Sequence, residues 1–177
     1  GQVFYANVLL SGSVPQISLI CGPCAGGASY SPALTDFIIQ TRKAQMFITG
    51  PTVIKQVTGQ VVSAEELGGP EAHMRTSGVV HFVADNDLHA VDICKKLLAF
   101  LPSNNLEDAP MKQVEPVVAL DPSLNSILPE NSRLSYDMHE VILRIVDDGD
   151  FLEVQALYAQ NMIVGFGRVL GRPIGII

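Results

Sequence analysis

Residues 14–34 constrain the fold more than any other stretch of the chain. Val14-Pro-Gln-Ile-Ser-Leu-Ile-Cys21 is apolar and β-prone, and it runs directly into Gly22-Pro-Cys-Ala-Gly-Gly27. From Ala28 to Leu34 the residues are small enough to start a short helix, interrupted or begun by Pro32. Strand, glycine corner and helix start, in that order, predict an α/β layered domain. Such a corner leaves several amides without intrahelical partners. Gly26 and Gly27 carry no Cβ, so a ligand can approach the backbone closely there. Chemistry that develops charge on an oxygen, as in an enolate or a tetrahedral intermediate, needs donors of this kind. The plainer alternative is a tight turn packed for steric reasons.

The remaining pattern agrees with layered α/β units. Phe4 to Leu10 reads as the end of a helix stopped at Gly12. Phe37–Thr41 and Ala44–Thr49 read as short strands. Gly50-Pro51 opens a helix with Val53, Ile54 and Val57 in phase. Ser63-Ala-Glu-Glu66 has the form of a capping box, and Gly68-Gly69-Pro70 closes that helix. Val79–Val83 is a strand. Asp85-Asn-Asp87 caps a helix through Leu101, with Leu88, Val91, Cys94, Leu97, Leu98 and Leu101 as its apolar stripe. Prolines recur from Pro102 to Pro129, which predicts a linker or surface-wrapping segment. Beyond it come a helix with Val141, Ile142 and Ile145 on one face, a strand over Asp150–Gln155, and a hairpin around Leu170-Gly171-Arg172. The expected division is therefore 1–101, an interdomain segment 102–136, and a second domain that begins at 137 and is unfinished at 177. A first residue of Gly and a final Ile-Gly-Ile-Ile177 suggest a piece of a longer polypeptide.

Composition excludes several classes of function. Hydrophobic residues make up 47% and charged residues 16% of 177, so the chain can bury a large core, and a surface this poor in charge suggests cover by partner chains. A net charge of −7 without a Lys/Arg block argues against nucleic acid. No apolar run reaches the ~20 residues of a membrane span, and no signal peptide is visible. Three cysteines with a CxxC pair suit a reducing, cytoplasmic compartment. Cys21-Gly-Pro-Cys24 also matches a thiol–disulfide redox motif, with strand before and helix after. Against that reading, no Trp precedes the motif and a glycine pair follows it. Cys94 reads as a small core residue. His73 in Gly-Gly-Pro-Glu-Ala-His has the look of a base. Glu65 and Glu66 read as capping groups rather than an acid/base pair. His81 and His89 lack metal-ligand spacing, so no metal site is expected.

The segments VPQISLICGPCAGGASYSPALTDFII, MFITGPTVIKQVTG, SAEELGGPEAH, KKLLAFLPSNN and NMIVGFGRVLGRPIGII are spread over nearly the whole chain, from Val14 to Ile177. In this order they closely resemble the carboxyltransferase subunit of biotin-dependent acyl-CoA carboxylases, transcarboxylases and decarboxylases. GGASYSPALTDFII, a basic pair and then MFITGP is most similar to the propionyl-CoA/methylmalonyl-CoA branch. The resemblance implies a crotonase-like fold used twice. This chain would be the second half of the N-domain copy and the start of the C-domain copy.

The resemblance also implies a mechanism. Carboxybiotin, delivered on a separate carrier protein, releases CO2; the biotin anion takes the α-proton of propionyl-CoA, and the thioester enolate attacks CO2. Decarboxylation reverses this path. No side chain need act as base or nucleophile, so positioning and electrostatics supply catalysis. By resemblance, Gly26 and Gly27 hold the enolate oxygen through their amides, and Ala25, Ala28, Tyr30, Thr49 and Gly50 bind the acyl-CoA. A second amide pair, in the C-domain, stabilises biotin. The implied partners are a biotin carboxyl carrier protein, a biotin carboxylase or decarboxylase subunit, and further copies in a hexamer. The alternative reading is an inactive or assembly-only piece of such a subunit.

Overall fold

Parallel strands buried on both faces organise the chain. The computed structural model describes residues 1–114, 121–131 and 133–177. Helix α1 (Gln2–Leu10) precedes β1 (Ile17–Ile20), β2 (Pro23–Ala25), a 3-10 turn (Gly26–Ser29) and α2 (Tyr30–Ala33). Then come β3 (Phe37–Thr41), β4 (Gln45–Phe47), α3 (Pro51–Thr58), α4 (Ala64–Gly68), α5 (Pro70–Ala72) and a π-helical turn (His73–Ser77). β5 (Phe82–Ala84) and α6 (Asp87–Leu98) follow, then α7 (Leu124–Ile127), α8 (Met138–Ile145), β6 (Leu152–Val154), β7 (Val164–Val169) and β8 (Arg172–Ile176). The chain is thus α/β, as its pattern implied. Of the proline-rich segment, residues 115–120 and 132, Pro116 among them, lie outside the described residues.

Strands β1, β3 and β5 form one parallel sheet in that order. Neighbouring residues of β3 face opposite ways, as a period of two requires. Ile38 packs with Ile20, Ala44, Met46, Met74 and Val80 on one side. Ile39 packs with Phe82, Ala84, Ala90, Leu97 and Val154 on the other. The first face carries the small parallel pair β2–β4. The second carries α6 and part of the antiparallel sheet β6-β7-β8. Phe166 of β7 reaches the same core, with its ring 6.1 Å from Phe37 and 6.0 Å from Phe100. At the β7–β8 turn, Leu170 (φ 52) and Gly171 (φ 76) both take the left-handed conformation of a two-residue hairpin. Asp147 accepts both of their amides, at 2.9 and 2.7 Å.

Several elements differ from their sequence expectation: β4 covers only Gln45–Phe47 of the expected Ala44–Thr49, and β5 runs Phe82–Ala84 rather than Val79–Val83. The strand over Val14–Cys21 starts only at Ile17, because Pro15 has no N–H and the Gln16 amide goes to the Asp36 carboxylate at 2.8 Å. It stops at Ile20, and a separate strand, β2, intervenes before the glycine corner. Gly68-Gly69-Pro70 does not end the helical region; Gly69 breaks it and Pro70 restarts it. On α6, Leu88 (79% exposed), Val91 and Leu98 face outward. The inward face is Ala90, Ile93, Cys94 and Leu97, so Cys94 does pack on the core. Two overlapping apolar stripes run along this helix, and the sheet selects the one with the small Ala90. Leu97→Ala should therefore destabilise by about 2–5 kcal/mol and Leu88→Ala by less than about 0.5 kcal/mol in urea unfolding; equal effects would contradict the assigned face.

His81 links the parallel sheet to the end of β6 in the antiparallel sheet. Its Nδ1 accepts the Ile38 amide at 3.0 Å, and its carbonyl accepts the Gln155 amide at 3.0 Å. Burial pushes its pKa below the ordinary 6.5. A depressed histidine contributes stability above the unfolded value and loses it as pH falls through the folded value. His139 runs in the opposite sense, because hydrogen bonds to Asp137 and then Glu153 raise its pKa. Tm should fall for the wild type between about pH 7.5 and 5 relative to His81→Phe, which cannot titrate. The comparison cancels His139, and parallel profiles would contradict the assignment.

Candidate functional site

β2 and β4 pair in parallel, Pro23 opposite Gln45, Cys24 opposite Met46 and Ala25 opposite Phe47. Parallel strands deliver both chains to the same end of the pair. Past Ala25 the chain enters the Gly26–Ser29 turn. Past Phe47 it passes through Ile48-Thr49-Gly50 into α3, with Pro51 in the first helical turn. Two corners thus stand side by side, and a Cβ on Gly26 would come 3.8 Å from the Ile48 carbonyl oxygen.

Local chemistry shapes the first corner. Ala25 is extended (φ −125, ψ 150), and Gly26 then takes φ +61, which glycine adopts without the penalty of a Cβ. The buried Ser29 hydroxyl donates to the Gly26 carbonyl at 2.7 Å and closes the turn from inside. The leading amides of a 3-10 helix have no intrahelical acceptor, and no side chain caps this one. Gly27 is exposed, and no atom lies within 4 Å of the place its Cβ would occupy. The corner is therefore open on the side to which a Gly27 side chain would point.

The structure brings together Ala25, Gly26, Gly27 and Ala28 on one corner with Thr49 and Gly50 on the other. Thr49 is exposed, and a Cβ on Gly50 would come 3.5 Å from the Phe47 ring. Tyr30 lies one turn on, with its ring edge-on to Phe4 of α1 at 6.1 Å. Its packing belongs to the α1–α2 contact, although 46% of the residue is exposed. Ile48 and Ser29 shape the site and were passed over in the sequence. Ile48 carries no signal for this in the sequence, where it falls inside the expected strand Ala44–Thr49; the structure ends β4 at Phe47.

The redox reading of Cys21-Gly-Pro-Cys24 is corrected by the fold. Cys24 lies in β2 rather than at a helix N-terminus, so no helix dipole acidifies it. Burial raises the Cys24 thiol, and burial followed by the Asp87 carboxylate raises Cys21. Cys21 opens onto a crevice of about 470 Å³ that also touches Thr41, Lys43, Asp85, Asp87 and Leu88. Glu66 is a cap: its carboxylate accepts the Ser63 amide at 2.9 Å, which lowers its pKa. Among the described residues no group of three or more His, Cys, Asp or Glu could hold a metal, and no helix is long and apolar enough to cross a membrane. Insulin reduction should be absent, and Cys21 should react with a disulfide reagent no faster than an ordinary thiol; rapid modification at neutral pH would reinstate the redox reading.

Known proteins match this chain along its whole length. The family model for the carboxyl transferase domain matches residues 1–177. The methylmalonyl-CoA carboxyltransferase 12S subunit of Propionibacterium freudenreichii subsp. shermanii is 58% identical over 177 residues, covering 100% of this chain and 34% of that protein. A biotin-dependent acetyl-/propionyl-coenzyme A carboxylase beta5 subunit of Mycobacterium tuberculosis is 51% identical, covering 99% of this chain and 34% of that protein. A crystal structure of transcarboxylase 12S, described as a hexamer with hydrolysed methylmalonyl-coenzyme A bound, superposes with a TM-score of 0.95 at 58% identity. That superposition covers 99% of this chain and 34% of the other. The chain spans about a third of the length of these relatives. Matched along its whole length by the family model, the chain belongs to the carboxyl transferase domain family.

Proposed function

We propose that this chain supplies the enolate-stabilising corner of an acyl-CoA carboxyltransferase acting on propionyl-CoA or methylmalonyl-CoA. The observation that carries the reading is the uncapped, open Gly26–Gly27 turn held beside Thr49–Gly50 by the β2–β4 pair. Gly26 and Gly27 amides donate to the thioester oxygen as it gains charge. Ala25 and Ala28 flank that oxygen with small side chains, Thr49 and Gly50 form the opposite wall, and Tyr30 borders the approach. The reaction needs donors already aimed at the developing charge, and a turn closed from inside by Ser29 provides them without reorganisation. Biotin, carried on a separate protein, supplies the carboxyl group and the base when it is bound. The relatives, which include a biotin-dependent acyl-CoA carboxylase subunit and a coenzyme A-bound transcarboxylase, support the substrate class and the use of biotin.

The same reading assigns a crotonase-like fold, with 1–101 as the latter half of an N-domain copy, 102–136 as the interdomain segment and 137–177 as the opening of a second copy. It also assigns a cytoplasmic hexamer that works with a biotin carboxyl carrier protein and a biotin carboxylase or decarboxylase subunit. Apolar surface supports assembly: no residue of α1 is buried, and Val53 and Val57 of α3 are 47% and 78% exposed. The direct test is Gly27→Val in the assembled enzyme. The fold has room for the side chain, so assembly should persist. The branched side chain should fill the approach and keep the thioester oxygen off the amides, so turnover should fall about 10²–10³-fold, an effect of the size seen when one oxyanion donor is lost. Near-normal turnover would remove Gly27 from the site.

A further inference from the structure

We infer that His73 is a positioning residue that sets the height of the Ile48–Gly50 corner against the Gly26–Gly27 amides; this rests on the function proposed above. β4 is three residues long, and β2 is its only sheet partner among the described residues. So short a parallel pair is weak on its own. Its fastening comes from the other side. His73 Nε2 lies 2.7 Å from the Met46 carbonyl oxygen, and its Nδ1 lies 2.9 Å from the Ser77 hydroxyl. A carbonyl only accepts, so Nε2 carries the proton and donates to the Met46 oxygen, and Nδ1 engages the Ser77 hydroxyl. The histidine thus holds the middle residue of β4.

The segment that carries His73 is built for this contact. His73 opens the π-helical turn, a geometry that is rare and concentrated at functional sites. The next residue, Met74, is buried against Met46, Ile20 and Ile38, which anchors the turn under the strand. Gly68 lies so close to the Met46 carbonyl that a Cβ there would collide with it. Buried Gln40 donates from Nε2 to the carbonyls of Ala44 at 2.8 Å and Gly68 at 3.0 Å, tying the approach to β4 to the end of α4. Met46 pairs with Cys24, and Phe47 pairs with Ala25, the residue before the glycine turn. A shift of Met46 therefore passes through a single residue to each corner. His73 is not placed against the reacting atoms; it acts through the strand.

The test compares three variants in the assembled enzyme. His73→Gln keeps an N–H donor at nearly the same reach. His73→Asn is too short to make the bond, and His73→Leu has no donor. A misplacement on the order of 1 Å can cost about 10²-fold in rate. With Asn and Leu, kcat should accordingly fall about 10–100-fold while KM for the acyl-CoA changes little, and Gln should restore most of the rate. Amide hydrogen exchange over residues 45–48 should quicken for Asn and Leu but not for Gln. Wild-type turnover and exchange in His73→Asn would overturn the inference, as would a Gln variant as impaired as Leu. A wild-type enzyme without acyl-CoA-dependent carboxyl transfer would instead refute the proposed function, and the exchange pattern would still decide the role of His73.

Discussion

The register of β2 against β4 is the constraint on which the candidate site depends. Neither strand has the length or the apolar content to persist in isolation. Pairing Ala25 with Phe47 sets two chain reversals side by side, one led by uncapped amides and the other by an exposed Thr49. A slip of one residue would turn Met46 out of the core and carry the Thr49–Gly50 wall away from Gly26. The larger sheet β1-β3-β5 matters to the site chiefly as the surface on which this small pair is seated, through Ile20, Ile38, Ala44 and Met46. Elements distant in sequence lock the seat from behind: Gly68 and His73 on β4, and Met74 beneath it.

On the proposed function the site uses no catalytic side chain, yet it still demands a defined fold. Backbone amides cannot be exchanged by mutation, so their effectiveness depends on where the chain is held. Glycine at position 26 accepts the left-handed turn, glycine at 27 leaves the approach open, and Ser29 fastens the loop from within. Each contribution is geometric, and none would be recognised by a search for acids, bases or metal ligands. The three cysteines fit the same picture: one is seated on the core, one in a strand and one beside a carboxylate, and burial raises the pKa of all three.

What could be read from the sequence was local. The glycine corner, the Ser63–Glu66 capping box, Pro51 in the first turn of α3 and the Leu170-Gly171 hairpin each depend on a few neighbouring residues, and each is present. Members of the candidate site could be named because two turn motifs carry them. Their proximity could not, since it comes from a strand pair in which β2 reads Pro-Cys-Ala and lacks any periodic signal. The inward face of α6 was hidden for a related reason: the sheet prefers the stripe with Ala90, while the larger Leu88 draws the eye. His73 was legible as a residue and illegible as a contact, because its partner is a backbone carbonyl 27 positions earlier. Long-range partners of this kind leave no trace in composition or spacing.

The central claim is that the Gly26–Gly27 amides hold the substrate's thioester oxygen. Its most direct test is a crystal structure of the assembled enzyme with a propionyl-CoA analogue whose thioester is fixed in an enolate-like state. The account requires the analogue's oxygen to lie about 2.7–3.1 Å from amide nitrogens of this pair, with Thr49 and Gly50 on the far side of the acyl group. An oxygen held by other donors, with the glycine corner facing only solvent, would contradict it.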